Sequence, residues 1–171
     1  DGLVANAGML GVLTPLSHLE PDVWDDTIAV NLTAQWHLIK AMEPLLVAAP
    51  AARAVLVSSG AASGSYPFWG AYAVSKAGLE AMGRVWAGET EQTNLRINMI
   101  NPGGTATSMR AAAFPGEDPQ TLPPRMPSPR RFCSFCQQIA RITGSCLRPA
   151  TCSAYKPRRK RKRKGSRVVC I

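Results

Sequence analysis

Three short apolar runs that end in small residues constrain the fold of this chain more than any other feature. They cover residues 2–5, 54–57 and 95–100, and each is followed by small or turn-forming residues. Runs of this length and character are typical of buried parallel strands. Two long helical patterns separate them, so the predicted order is strand, helix, strand, helix, strand. This order predicts an α/β fold with a parallel sheet, right-handed crossovers and flanking helices.

The two helical patterns differ in composition. The first begins near Pro21-Asp22, which is a helix-start signal, and continues toward Leu46. Pro44 is expected to kink or shorten its end. The second covers about residues 71–89 and carries alanine and glycine at closely spaced positions, which permits close packing against another helix or the sheet.

A serine, a tyrosine and a lysine lie where such a sheet binds ligands, beyond the carboxyl ends of its strands. Ser59 follows the second run, and Tyr72 and Lys76 are one helical turn apart on the same helix face. A lysine ammonium beside a phenol is expected to lower the pKa of that phenol from about 10. The trio therefore predicts proton transfer at a carbonyl or alcohol oxygen, although Tyr72 and Lys76 alone would also fit an ordinary amphipathic helix.

Four motifs in chain order resemble the short-chain dehydrogenase/reductase family. The motifs are Asn6-Ala7-Gly8, Asn31, Ser59 with Tyr72-Ala73-Val74-Ser75-Lys76, and Asn101-Pro102-Gly103 with Thr107. The resemblance covers residues 1–118 and implies a partial Rossmann-like parallel sheet, with strands similar to the family's fourth, fifth and sixth. These residues would form the catalytic half of such a domain.

The resemblance implies an oxidoreductase that uses NAD or NADP to transfer a hydride to or from a small carbonyl or alcohol substrate. Tyr72 would be the acid/base, Lys76 would lower its pKa and bond the nicotinamide ribose, and Ser59 would polarise the substrate oxygen. Asn31 would hold a water that links Lys76 to solvent. The residues implied to line the cofactor are Asn6, Ala7, Gly8, Lys76, Pro102, Gly103 and Thr107. The family also implies a homo-oligomer, a cytoplasmic location and no catalytic metal.

The beginning of the chain departs from the family pattern. No glycine-rich turn precedes Asn6, and the first run resembles the family's fourth strand. We therefore expect the adenosine-binding half to be missing, the edge of the strand at residues 2–5 to be unpaired, and cofactor binding and activity of this chain alone to be weak or absent. Tyr66, Phe68 and Trp69 precede the catalytic tyrosine, and they either line a substrate pocket or form a packed loop.

Charge divides the chain near residue 119. Residues 1–118 carry six lysines and arginines against eleven acids, a net charge of −5, whereas residues 119–171 carry fourteen lysines and arginines and no acid. All five cysteines lie in the second part, which we expect to be a largely disordered tail. No apolar run reaches the roughly eighteen residues that would predict a membrane span.

Three interpretations of the tail remain open. The basic run at residues 156–164 is typical of a nucleic-acid-binding arm, although aromatic residues for base stacking are nearly absent. Cys133, Cys136, Cys146 and Cys152 suggest a zinc site, but their spacing is unusual and no histidine lies nearby. An out-of-frame translation would explain the loss of acids at the point where the resemblance stops. A non-catalytic remnant whose tail binds nucleic acid is therefore the alternative function, and it is the less favoured one.

Overall fold

A parallel sheet organises the part of the chain that the computed structural model describes, residues 1–124 and 168–170. Its strands are β1 (Gly2–Ala5), β2 (Arg53–Val57), β3 (Arg96–Ile100) and β4 (Val168–Cys170), in the order β3-β2-β1-β4. All pairings between neighbouring strands are parallel. The three apolar runs are thus confirmed as strands, and their nearly continuous burial is typical of a sheet that helices cover.

Strand β4 corrects one prediction. We expected the edge of β1 to be unpaired, but β4 pairs with it, with Gly2 opposite Val168 and Val4 opposite Cys170. The main-chain N–H and C=O groups of a strand edge need partners, and consecutive valines have high β propensity. The predicted disorder of the tail concerns mainly residues 125–167 and 171, which lie outside the described residues.

The helices are α1 (Pro21–Ile28), α2 (Ala34–Ala48), α3 (Gly70–Glu89) and α4 (Ser108–Ala113). Three of them follow the two predicted patterns, and the short helix α4 was not predicted. A π-helical turn at Ala29–Thr33 joins α1 to α2, and short 3₁₀ turns stand at Leu16–His18, Gly60–Ala62 and Pro119–Thr121. Within the described ranges, no helix has both the length and the apolar character that crossing a membrane requires.

Pro44 lies inside α2 and does not end it. The helix continues to Ala48, so of the two predicted effects of Pro44 the shortening does not occur, and the kink stays a prediction. Leu46 is only 2% exposed and belongs to the main hydrophobic cluster. Burial of a leucine contributes roughly 2 kcal/mol, which offsets most of the roughly 3 kcal/mol that an internal proline costs.

Helix α3 packs closely on the sheet at a glycine. A Cβ at Gly83 would lie 2.8 Å from Leu56 Cδ1 and 2.9 Å from Met99 Sδ, so a larger residue would displace core side chains. The predicted close packing of the alanine- and glycine-rich helix is therefore confirmed. This approach holds α3 against β2 and β3, and it places the helix turns of Tyr72 and Lys76 beside the carboxyl end of β2.

Candidate active site

Ser59 and Tyr72 meet at the carboxyl end of β2. Ser59 begins the 3₁₀ turn Gly60–Ala62, and its Oγ accepts a hydrogen bond from Ala61 N at 3.3 Å. Tyr72 lies in the first turn of α3 and is 9% exposed. The Ser59 side chain lies beside the Tyr72 hydroxyl, where its hydrogen bonding acts to lower the pKa of Tyr72. Because the Ala61 N–H occupies an acceptor position of Ser59, the serine hydroxyl can donate its proton toward Tyr72 or toward a ligand oxygen.

The pKa of Tyr72 lies above its ordinary value of 10.0. Burial raises it, because a phenolate loses more hydration than a phenol does, and the hydrogen bond with Ser59 only partly opposes the shift. The prediction of a lowered pKa is therefore wrong for this structure. Tyr72 is protonated at neutral pH, which is the form that donates a proton.

The Lys76 side chain is buried beside Tyr72. It is 4% exposed, its Nζ lies 5.9 Å from the centroid of the Tyr72 ring, and that Nζ donates a hydrogen bond to Val57 O at 2.9 Å. Val57 is the last residue of β2, so this bond ties α3 to the strand that leads into Ser59. Burial lowers the pKa of Lys76 to about 8. The lysine is therefore mostly charged at neutral pH and loses its charge in mildly alkaline solution.

Asn31 fastens two distant parts of the chain to each other. It lies in the π-helical turn between α1 and α2 and is fully buried. Its Oδ1 accepts a hydrogen bond from Met9 N at 2.7 Å, and its Nδ2 donates to Met9 O at 2.9 Å and to Ser75 Oγ at 3.0 Å. Ser75 Oγ in turn donates to Tyr72 O at 2.8 Å. Asn31 thus links the loop after β1 to the helix turn of Tyr72 and Lys76.

The turn after β1 lies against the polar cluster, a name we give to Asn31, Ser59, Tyr72 and Lys76. A Cβ at Gly8 would lie 3.3 Å from Asn31 Oδ1 and 3.4 Å from Lys76 Nζ, which is closer than most real Cβ contacts. Glycine at this position therefore leaves the polar groups of the cluster open toward the turn. The structure brings together Gly8 and all four residues that the sequence predicted to be catalytic.

The two adjacent serines at the end of β2 have different environments. Ser58 is 3% exposed, and its Oγ donates a hydrogen bond to Glu80 Oε1 at 2.6 Å. Ser59 instead lines an open cleft. Because successive side chains of an extended strand point to opposite faces, only one of the two serines faces the cleft.

The cleft beside Ser59 has a volume of about 230 Å³. Much of its surface is backbone, because its small lining residues are Gly60, Ala61, Gly103 and Gly104. Its remaining rings form what we call the aromatic wall, which consists of Tyr66, Trp69 and Phe114. Phe68 is 57% exposed and is not among the lining residues. Tyr66 and Trp69 therefore line this cleft, and their predicted role in a substrate pocket stays a prediction.

Trp69 connects the aromatic wall to the polar cluster. Its ring centroid lies 5.8 Å from that of Tyr66 and 5.7 Å from that of Phe114. It also packs edge-to-face on Tyr72, with centroids 5.7 Å apart and an interplanar angle of 69°. Such arrangements are favoured because the positive ring edge meets the negative ring face. The aromatic wall thus contacts the polar cluster through the Trp69 ring.

Arg110 lines the cleft with its charge already paired. Its Nε and Nη2 donate hydrogen bonds to the two carboxylate oxygens of Glu117 at 2.6 Å and 2.8 Å. Its Cζ lies 3.7 Å from the centroid of the Phe114 ring. The hydrogen bonds raise the pKa of Arg110 and lower the pKa of Glu117. The guanidinium is therefore held as a flat group against the aromatic wall.

The remaining residues predicted to line a cofactor lie in more open positions. Asn6 and Pro102 are exposed. Gly103 lines the cleft with a φ of 75°, a left-handed conformation that favours glycine. Thr107 Oγ1 accepts a hydrogen bond from Arg110 N at 3.2 Å and so caps α4; it lines a second cleft, of about 420 Å³, rather than the one beside Ser59. Cofactor contacts of these residues stay predictions.

Sequence reasoning missed several supporting residues. Gln35 is buried, and its Nε2 donates a hydrogen bond to Ala7 O at 3.1 Å, which holds the turn after β1. Its spacing of four residues from Asn31, on one helix face, is the signal that could have indicated it. For Arg110, the signal was a capping threonine three residues earlier and a glutamate seven residues later. These spacings are common, so they gain meaning only once the cleft is known.

Metal binding and nucleic-acid binding were predicted on tail residues. The four cysteines of the possible zinc site and the basic run at residues 156–164 lie outside the described residues, so both interpretations stay predictions. Among the residues that the structure describes, no group of three or more histidine, cysteine, aspartate or glutamate side chains could hold a metal ion.

Comparison with protein families agrees with this geometry. The family model for short chain dehydrogenases matches residues 1–118. The chain belongs to the short-chain dehydrogenase family. The matched range is the one over which the four motifs occur, so the resemblance inferred from those motifs is confirmed.

Two curated relatives in the short-chain dehydrogenase family indicate how much of a whole protein the chain covers. The uncharacterized oxidoreductase YciK of Escherichia coli K12 is 48% identical over 122 residues, which are 71% of this chain and 48% of the relative. An uncharacterized NAD-dependent oxidoreductase of Mycobacterium tuberculosis H37Rv is 37% identical over 110 residues, which are 64% of this chain and 40% of the relative. The chain spans about half the length, or less, of these two relatives.

Solved structures confirm the predicted fold class. A short chain dehydrogenase from Salmonella enterica serovar Typhi has a TM-score of 0.76 at 41% identity, with 86% of this chain and 61% of that chain covered. A short chain dehydrogenase from Escherichia coli CFT073 complexed with NADPH has a TM-score of 0.75 at 41% identity, with the same coverage. The three predicted strands and their flanking helices therefore form part of this family's α/β fold.

Proposed function

We propose that the polar cluster transfers the proton in the NAD- or NADP-dependent interconversion of a carbonyl and an alcohol. The observation that carries this proposal is the juxtaposition of three side chains: the buried Lys76 Nζ lies 5.9 Å from the centroid of the Tyr72 ring, and the Ser59 side chain acts on the Tyr72 hydroxyl. A relative in complex with NADPH and an NAD-dependent relative support the choice of cofactor class. The match covers about half the length of YciK. Any activity of a whole protein that contains this chain is therefore itself a proposal.

The turn after β1 fits the nicotinamide end of such a cofactor. At Gly8, a Cβ would stand 3.3 Å from Asn31 Oδ1 and 3.4 Å from Lys76 Nζ, so glycine leaves that space free for a ligand. The residues that would hold the cofactor are Asn6, Ala7, Gly8, Lys76, Pro102, Gly103 and Thr107. When bound, it supplies a hydride to the carbonyl carbon or accepts one from the alcohol carbon.

Ser59 and Tyr72 would hold the substrate oxygen between two hydroxyl donors. The two hydroxyls interact at the carboxyl end of β2, so an oxygen placed between them can accept from both. Negative charge develops on that oxygen during reduction, and fixed donors stabilise it. One such donor typically contributes about 10²–10³-fold in rate.

Tyr72 donates the proton in the reductive direction. Its raised pKa keeps the phenol protonated at neutral pH. After proton transfer, the phenolate stands near the Lys76 ammonium, and attraction between opposite charges is stronger in a buried site than in water. This stabilisation requires the charged lysine. It therefore weakens as the pH rises through the lysine pKa of about 8.

Asn31 acts as a positioning residue. Both N–H groups of its amide and one acceptor position of its Oδ1 are engaged by Met9 and Ser75. The side chain thus holds the loop after β1 at a fixed place relative to α3. A water-mediated link from Asn31 to Lys76 stays a prediction.

The substitution Tyr72→Phe tests the proposal, because it removes the acidic hydroxyl and keeps the ring. We expect kcat/KM for NADPH-dependent reduction of small aldehydes and ketones to fall by about 10²–10⁴-fold. The measurement is NADPH consumption by the full chain. It is repeated with a chimera in which residues 1–118 replace the matching segment of YciK, so that a complete cofactor-binding domain is present.

In the full chain the matched control is Tyr155→Phe, which makes the same chemical change outside the family-like residues. The chimera lacks residue 155, so its control is Asn94→Ala at an exposed position. Both controls should leave the rate unchanged. Reduction that proceeds equally well with Tyr72→Phe, in a protein whose circular dichroism matches the wild type, would contradict the proposed role of Tyr72.

Several properties of the whole protein stay predictions beside this proposal. They are a small carbonyl or alcohol substrate, a homo-oligomeric state, a cytoplasmic location, and a division into a catalytic half at residues 1–118 and a tail at residues 119–171. Nucleic-acid binding by that tail gains no support from the site geometry or from the relatives.

A further inference from the structure

We propose that the cleft beside Ser59 takes a small, uncharged aromatic aldehyde or ketone, with its ring against Trp69 and its carbonyl oxygen toward Ser59. This inference rests on the proposed function, because it names the substrate class of the same site. Three observations support it: the shape of the cleft, the aromatic rings that line it, and the pairing of Arg110 with Glu117.

The shape of the cleft suits a flat molecule of limited size. Backbone at Gly103 and Gly104 forms part of its surface, and the aromatic wall forms another part. Its volume of about 230 Å³ lies below the roughly 300–1,000 Å³ of pockets that bind drug-sized ligands. A single ring that carries a carbonyl group therefore fits the volume better than a fused polycyclic compound does.

The lining favours an aromatic ring over a saturated one. Ring centroids inside the wall lie 5.7 Å and 5.8 Å apart, within the roughly 4.5–7 Å range of favourable aromatic pairs. A ligand ring that enters the cleft can extend this series through Trp69. Since Ser59 lines the same cleft, a ring against Trp69 can turn its carbonyl group toward the Ser59 hydroxyl, and Trp69 itself packs on Tyr72.

The charge of the lining favours an uncharged ligand. Among the described residues that line the cleft, Arg110 is the charged one. Its Nε and Nη2 are already engaged by Glu117 in a two-point hydrogen-bonded pair. An anionic ligand would have to displace that carboxylate or bind beside its negative charge. A neutral ligand meets the guanidinium and the carboxylate as a pair with no net charge.

Binding to the full chain tests this inference without any need for hydride transfer. Three ligands are compared by saturation-transfer NMR: acetophenone, cyclohexyl methyl ketone, which has the same carbon skeleton with a saturated ring, and 4-acetylbenzoate, which adds a carboxylate. We expect acetophenone to bind about three- to tenfold more tightly than cyclohexyl methyl ketone. We expect 4-acetylbenzoate to bind more weakly than acetophenone.

Two variants assign the preference to the aromatic wall. Trp69→Leu should bring acetophenone down to the affinity of cyclohexyl methyl ketone, whereas Trp69→Phe should retain the preference. If Trp69→Leu does not fold, the ligand series on the wild type and on Trp69→Phe still decides.

Four results would overturn the inference: equal affinity for the aromatic and the saturated ketone, a preference that survives Trp69→Leu in a folded protein, tightest binding of 4-acetylbenzoate, or no binding of any ligand. These outcomes differ from failure of the proposed function. Reduction of both ketones at equal rates, abolished by Tyr72→Phe, would keep the proposed function and overturn the aromatic preference alone.

Discussion

The polar cluster and the aromatic wall lie side by side, yet they are held in different ways. In the polar cluster, Asn31 is fully buried and Lys76 is 4% exposed, and hydrogen bonds tie them to the loop after β1, to β2 and to α3. In the aromatic wall, Tyr66 is 49% exposed, and ring contacts with Trp69 hold it. The difference teaches that buried hydrogen bonds to the main fold fix the polar cluster, whereas contacts between partly exposed rings form the aromatic wall.

The largest expected effect on stability comes from removing the buried charge of Lys76 in the polar cluster. Its pKa is about 8 in the folded chain, against an ordinary value of 10.5. Between these values the unfolded chain binds more protons, so the free energy of unfolding should rise with pH, by on the order of 3 kcal/mol over the window. Lys76→Met carries no titratable group and should abolish this rise.

Chemical denaturation from about pH 7 to about pH 10 measures the Lys76 effect. Data above pH 10 are excluded, since the raised pKa of Tyr72 makes the stability fall with increasing pH there. Parallel curves for the wild type and Lys76→Met would show that the lysine is not buried as the structure has it.

A somewhat smaller effect on stability is expected when the side-chain hydrogen bonds of Asn31 are removed. Asn31→Ala leaves the partly buried N–H and C=O of Met9 and the buried hydroxyl of Ser75 without this partner. We expect a loss of about 2–3 kcal/mol in the free energy of unfolding. Asn94→Ala is the matched control because Asn94 is exposed, and it should change stability by less than about 0.5 kcal/mol. Equal effects of the two substitutions would contradict the stabilising role of the Asn31 hydrogen bonds.

The smallest expected changes in stability concern the adjacent residues Ser58 and Ser59, one of which bonds to the main fold while the other faces the cleft. Ser58→Ala removes a buried hydrogen bond to Glu80 and should cost about 1–2 kcal/mol. Ser59→Ala removes the bond from Ala61 N and the interaction with the Tyr72 hydroxyl at the open cleft, so it should cost less than about 1 kcal/mol. Activity should show the opposite order, because Ser59 faces the cleft. Urea denaturation and NADPH consumption of both variants measure the two orders, and the same order in both would refute this division.

Much of the fold could be predicted because its signals are local. Apolar runs bounded by small residues identified β1, β2 and β3, and the glycine that lets α3 approach the sheet lies in a pattern visible in the sequence. The pairing of β4 with β1 joins residues more than 160 positions apart, so no local pattern predicts it. The same limit applies to the continuation of α2 through Pro44, which depends on burial against other elements.

In the site too, residue spacing predicted which side chains come together, whereas their pKa values and hydrogen-bond partners depend on packing. Spacing identified Ser59, Tyr72 and Lys76, and the structure brings them together. The direction of the Tyr72 pKa shift could not be read from spacing, because it depends on the balance between burial and neighbouring charge. Lys76 gives its hydrogen bond to the main-chain oxygen of Val57, and a backbone carbonyl has no signature in the sequence.

The pKa of Tyr72 is the most direct test of how the polar cluster is built. The chain has three tyrosines, so carbon NMR of isotope-labelled tyrosine resolves Tyr72 once Tyr66→Phe and Tyr155→Phe assign the other two signals. The structure predicts a pKa above 10.0 in the wild type, and a still higher one in Ser59→Ala, because the serine hydrogen bond opposes the effect of burial. A wild-type value below 10, or a value that Ser59→Ala leaves unchanged, would contradict the account.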